Sequence, residues 1–352
     1  MASVTQAPEK SAVRRQAQAG NPPSSARFDL LMAGLSTVFL LGLFVDGWAH
    51  FHGKVDDSFF TVWHLVFYGA FGLCALALAA KQLGGVNAGH GFFRALPKGY
   101  LASLVGIVIF GVGGVGDMVW HTLFGIEGGT EALLSPTHIL LGVGMALVFT
   151  GPARSAWARA RAGENLTGWI ALLPLLISAT LLLTLLIFFT SYAHPMTMPL
   201  AQLALSGRGI PFDPQDFGVT AILLEAGVLA GIAGVLLMRF RLPFGALTLL
   251  AGVSSALLTV LVDSFVFLPG LFIALMIVDI VAYRLRPSKA RPNAMIIVLT
   301  LLPALYYTSY FLTIDLALTV RWSIHVWTGS IALAAVVGAL VGYGLTASSS
   351  SE

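Results

Sequence analysis

Two stretches of the chain set an aspartate and two histidines in one order. In DGWAHFHGKVDDSFFTVWH these are Asp46, His50 and His64; in DMVWHTLFGIEGGTEALLSPTH they are Asp117, His121 and His138. A four-residue step puts Asp and His on one face of a helix, and a returning helix can bring the third side chain to the same spot. Two imidazoles and a carboxylate suit a divalent metal: Cu(II), Zn(II) or non-haem Fe(II), the last with positions open for dioxygen. Zinc in that set would instead acidify a bound water for hydrolysis. These residue types leave the metal open.

Helices must position those side chains, and the composition supplies them. Of 352 residues, 57% are hydrophobic and 10% charged, and the mean hydropathy is +0.88. Soluble domains carry about 25% charged residues, so the chain reads as an all-α, polytopic membrane helix bundle. Ten apolar runs approach the roughly 20 residues of a spanning helix: about 28–50, 61–81, 100–124, 136–152, 168–193, 217–238, 244–267, 269–284, 294–313 and 322–345. The expected organisation is a disordered cytoplasmic tail at 1–27, a four-helix metal-binding region of two repeated hairpins at 28–152, a six-helix region at 153–345, and a tail at 346–352. The first apolar run comes too late and is too long for a signal peptide. Cys74 is the only cysteine, so disulfides and thiolate clusters are excluded.

With the N-terminus placed in the cytoplasm, 16 of the 19 basic residues fall in inner segments, and only Lys54, Arg208 and Arg321 fall outside. That is a strong positive-inside bias. It predicts a multi-pass protein of the cell membrane with both termini cytoplasmic. The pI near 9.1 then reflects topology and anionic lipid headgroups, so the lipid bilayer is the expected partner and nucleic acid is not. Seven of the eight histidines, all but His90, and most acids fall at the outer face. At that edge the ordinary alternative is a polar helix end, where an aspartate costs less than the roughly 2.5–3.5 kcal/mol it would at the bilayer centre. Repetition of the triplet favours metal.

Other reactive side chains surround this pattern. His52, Asp56 and Asp57 read as solvated loop residues, with support of a ligand histidine as the alternative. Glu127 and Glu131 hold the matching place in the second hairpin and are the candidates for catalysis, as proton acceptor or extra ligand. His194, Met196 and Met198 in HPMTMP offer a soft set for Cu(I), against the commoner packing role of methionine. His325, between Trp322 and Trp327, either reaches the site from the second half or belongs to an aromatic belt. Glu225, Asp263 and Asp279 read as intramembrane acids. The first two would extend the outer cavity inward; Asp279 would mark a proton or ion route or pair with Arg284. The loop 194–216, with Gly207-Arg208-Gly209 and PFDPQDF, is a candidate lid. No nucleophile elbow, phosphate loop or HExxH is present. GVGGVGD at 111–117 lies inside a spanning run with no strand before it, so helix packing accounts for its glycines.

The stretch DGWAHFHGKVDDSFFTVWHLVFY resembles the C subunit of the particulate methane and ammonia monooxygenases, as does SPTH at 135–138. The resemblance covers about residues 40–145. It implies a copper site at Asp46, His50 and His64, and a second at Asp117, His121 and His138, where the family has Asn in the place of Asp117. It also implies partner membrane subunits. The expected function is a copper-dependent membrane oxidoreductase, monooxygenase-like, or a subunit of one, acting on a small apolar substrate that arrives through the lipid. The rivals are a metal-dependent membrane lipid hydrolase with Glu127 or Glu131 as base, a metal or proton transporter continuing through Asp279, and a metal chaperone.

Overall fold

The computed structural model describes residues 20–54, 59–125, 127–203 and 213–347. Most of the expected N-terminal tail, Asp56, Asp57, residues 204–212 of the candidate lid, and 348–352 lie outside them. The described chain is helical, with one isolated bridge between Ser288 and Arg291 and no strand.

Ten longer helices among the described residues make the bundle: α1 Ala26–Phe51, α2 Val62–Asn87, α3 Leu101–Phe124, α4 Pro136–Arg161, α5 Gly168–Phe189, α6 Pro214–Arg239, α7 Thr248–Leu261, α8 Leu268–Leu285, α9 Pro292–Ala317 and α10 Ile324–Ala347. Nine helical segments among the described residues are long and apolar enough to cross a bilayer, so this is a multi-pass membrane protein. α7 is the exception. The apolar run at 244–267 predicts a full span, but the helix there is confined to Thr248–Leu261, about 21 Å at 1.5 Å per residue. Pro243 and the positive-φ Gly245 precede it, and Asp263 at φ 53° ends it. α4 continues past the expected end at 152, with an interruption at Thr150 before Gly151-Pro152.

Helix starts follow ordinary chemistry. Thr61 caps α2 and Ser135 caps α4, each accepting the backbone N–H three residues on; Asp213 caps α6. Proline, which needs no N–H partner in a first turn, opens α4, α6 and α9.

α1 pairs with α2 and α3 with α4, while α6, α8, α9 and α10 pack together in the second half. α5, the most buried span, touches α1, α4, α6 and α7 and joins the two halves. Small residues let these helices approach. A Cβ on Gly106 would lie 2.7 Å from the Gly144 carbonyl oxygen, and one on Gly142 would lie 2.6 Å from the Phe189 ring. At the end of the bundle opposite the paired triplets, the fully buried Asp29 accepts from Tyr100 (2.7 Å) and Ser155 (3.1 Å) and pairs with Arg159 at 3.6 Å. That cluster ties α1 to α3 and α4.

Candidate metal centre

The two caps aim the two returning histidines. Thr61 and Ser135 each stand three residues before a histidine and hold its backbone N–H, at 3.1 Å for His64 and 3.4 Å for His138. The rings are tethered as well. His64 Nδ1–H donates to the Phe59 carbonyl at 2.5 Å, and His138 Nδ1 lies 2.9 Å from the Ser135 hydroxyl. An Nδ1 engaged this way presents Nε2 as the ligating atom. His64 Nε2 lies 3.6 Å from Asp46 Oδ1, and His138 Nε2 lies 3.1 Å from Asp117 Oδ1. The four-residue partners close each set: His50 Nε2 is 3.9 Å from Asp46 Oδ2, and His121 Nε2 is 3.5 Å from Asp117 Oδ1.

Within each triplet the three ligating atoms lie within 4.8 Å of one another. Bonds of about 2.0–2.1 Å in a tetrahedral site put ligand atoms roughly 3.3 Å apart, so small rotations would close either set on an ion. Among the described residues Asp46 Oδ1 is buried with no hydrogen-bond partner, as are both carboxylate oxygens of Glu127. Buried acceptors left this way are costly unless a cation or a donor meets them. The residues fit a metal.

Both triplets open on one cavity of about 370 Å³, with the His64 and His121 rings 6.4 Å apart and nearly parallel. Leu43, Phe67, Leu141, Met145, Phe188, Phe189 and Met198 give it apolar walls. Glu127 also lines it, and its Oε2 lies 3.4 Å from His121 Nδ1. Glu131 is exposed on the short helical turn Thr130–Leu134 and is not part of the lining.

The remaining candidates are dispersed. His52 leaves the site. Its Nε2–H donates to Asp263 at 3.1 Å and its Nδ1–H to the Trp48 carbonyl at 2.8 Å, with its ring stacked on Trp48. The Asp263 carboxylate holds its pKa above the usual histidine value, and the Trp48 carbonyl adds to this. Asp263 is therefore an exposed turn residue and does not extend the cavity inward. HPMTMP divides: Met198 lines the cavity, His194 lines a separate small void, and Met196 sulfur accepts from Tyr306 at 3.7 Å. His325 is exposed and away from the cavity. Asp279 accepts from the Leu247 amide (3.2 Å), the Thr248 amide (2.7 Å) and the Thr248 hydroxyl (2.5 Å), so it caps α7 rather than pairing with Arg284.

Two supporting side chains carry no obvious signal in the sequence. Thr137 and Tyr68 donate to Asp117 at 3.0 and 3.4 Å. Tyr68 stands four residues after His64 and so shares its helical face, which was the available clue. Gly114 leaves room for it, since a Cβ there would lie 2.8 Å from the Tyr68 ring. Gly113 and Gly114 of the run at 111–117 thus serve packing, as expected, whereas Gly111 meets nothing within 4 Å.

No family model matches the chain, and no curated protein and no solved structure compared with it matches either.

Proposed function

We propose that this membrane protein is a copper-dependent oxidoreductase, monooxygenase-like, or a subunit of one. The observation that carries this reading is the meeting of two Asp-His-His sets in a single cavity with apolar walls. The resemblance of residues 40–145 to the monooxygenase C subunit favours copper over iron and zinc. Asp46, His50 and His64 would hold one ion, and Asp117, His121 and His138 another. Copper bound there would supply one-electron redox chemistry.

The chain's own residues do the rest. Tyr68 and Thr137 fix Asp117, and the Phe59 carbonyl and Ser135 hydroxyl fix two ligand rings. The apolar walls exclude water and admit a small apolar molecule from the bilayer. Glu127 is the base or additional ligand beside the second set. The positive-inside bias supports an outer-face position for this end of the bundle. Other membrane subunits would pack on the exposed apolar faces of the bundle.

Elemental analysis and paramagnetic resonance on the purified protein test the proposal. Near-stoichiometric copper, lost in the His50→Ala plus His121→Ala double variant, is expected. Unchanged metal content in that variant would end the ligand assignment. Zinc alone would favour the hydrolase, for which the Glu127 carboxylate, beside His121 and lining the cavity, is the natural base.

A further inference from the structure

Behind the wall formed by the end of α5 and the segment after it lies a second, smaller void of about 20 Å³. Its polar lining is His194, Glu225, Ser254, Ser255, Tyr306 and Tyr307. By the same measure a single water needs about 10–15 Å³ and two to four polar partners. The void therefore has room for one water and the groups to hold it.

Those groups leave hydrogen-bonding capacity over. His194 Nδ1 accepts the Met196 amide at 3.2 Å, which puts the ring proton on Nε2. Among the described residues neither that Nε2–H nor the Tyr307 hydroxyl has a hydrogen-bond partner, although both residues are almost fully buried. The Tyr306 hydroxyl is engaged by Ser255 at 2.8 Å. Glu225, 4% exposed, accepts from Thr190 at 2.5 Å, and no cation pairs with it among the described residues. The titratable groups facing it are His194, Tyr306 and Tyr307, and none of them brings a fixed positive charge. A buried carboxylate without a counter-ion is strongly disfavoured. The Thr190 hydroxyl also reaches the Leu186 and Ile187 carbonyls; the next residue, Ser191, lines the large cavity, and its buried hydroxyl bonds no described residue, so a water must bridge the two hydroxyls.

We propose that Glu225 is a proton-holding site, neutral at rest, which exchanges its proton with the large cavity through the Thr190 hydroxyl and a water between it and Ser191, the void water serving as a further acceptor. Each transfer is a hop: the acid gives one proton to a neighbouring water or hydroxyl oxygen, that group releases one onward, and a returning hop restores the acid. No electron moves. The proposal goes beyond the metal reading and does not depend on which ion, if any, the triplets hold.

Infrared spectroscopy of the full chain in lipid nanodiscs, after chelator treatment, reads the site directly. The wild type should show a protonated-carboxyl carbonyl band that shifts in D₂O and is lost in Glu225→Gln. Thr190→Val should slow the deuterium shift of that band by about ten-fold, the effect of one missing hydrogen-bonded link in a barrier, and Thr190→Ser should restore the rate. Retention of the full band in Glu225→Gln would show that Glu225 is ionised and overturn the proposal. Exchange as fast in Thr190→Val as in wild type would overturn the route. Should Glu225→Gln not fold, the Thr190 pair still tests the site with Glu225 in place. Since metal is absent throughout, failure here is distinct from failure of the metal assignment.

Discussion

Asp46 and Asp117 occupy the same place in their triplets and differ in what already surrounds them. Asp117 receives Thr137, Tyr68 and the His138 ring, whereas Asp46 Oδ1 lies buried with no hydrogen-bond partner among the described residues. Truncating Asp117 would strand its donors, at about 1–3 kcal/mol for each buried group left unsatisfied. In metal-free protein, Asp117→Ala should therefore lower the melting temperature, and Asp46→Ala should leave it unchanged or raise it. Equal destabilisation by both would mean that Asp46 is a structural ion-pair partner. His194, in the segment after α5 and outside the spans, permits a pH prediction. Burial pushes its pKa from 6.5 down to about 3, so the folded protein keeps it neutral while the unfolded chain takes up a proton near 6.5. Its contribution is fully present above that value. It is lost as pH falls towards 3, with a limiting slope of about 1.4 kcal/mol per pH unit. Urea melts across that window should show the slope, and His194→Asn should flatten it.

At the scale of the element, one N-cap both starts a helix and sets a candidate ligand. Thr61→Val removes an acceptor worth about 1 kcal/mol and loosens the turn that carries the Phe59 carbonyl to His64. Losses of supporting partners commonly lower metal affinity about 10–100-fold, so titration of the variant should show one weakened site and one intact site. Thr61→Ser should behave as wild type. Unaltered binding in Thr61→Val would show that the cap has no part in holding His64 for metal. These pairings explain what could be read from the chain. Asp46–His50 and Asp117–His121 are one helical turn apart, so spacing alone brings them together. The Tyr68–Asp117 contact joins residues 49 positions apart across two hairpins, and no local pattern encodes it. Asp279 misled for the same reason: Arg284 is near in sequence, but the true partners are the first amides of α7, more than thirty residues away. The run at 244–267 is mostly apolar, which marks burial; its helical length depended on Pro243, Gly245 and the turn at Asp263.

Across the whole molecule, the two ends of the bundle have separate tasks. The Asp29 cluster clamps α1, α3 and α4 at one end, while the triplets occupy the other. Removing one member of a buried ion pair costs about 3–5 kcal/mol. Asp29→Asn should thus lower thermal stability strongly, while the metal content of the protein that remains folded stays at the wild-type ratio. Loss of metal in proportion to stability would show that the ends are coupled. The expected topology has its own check: a reporter fused after Lys289 should be cytoplasmic, and labelling from outside would invert the scheme. A last consequence belongs to α7. The backbone just before it is non-helical, and within a bilayer such backbone survives only when protein groups satisfy it. Asp279 is the group that does so, with three donors fastened to its two oxygens. A stepping stone for migrating ions must let go of one neighbour to take the next. Asp279 is mortar instead, and traffic along the second half of the bundle would have to find another footing.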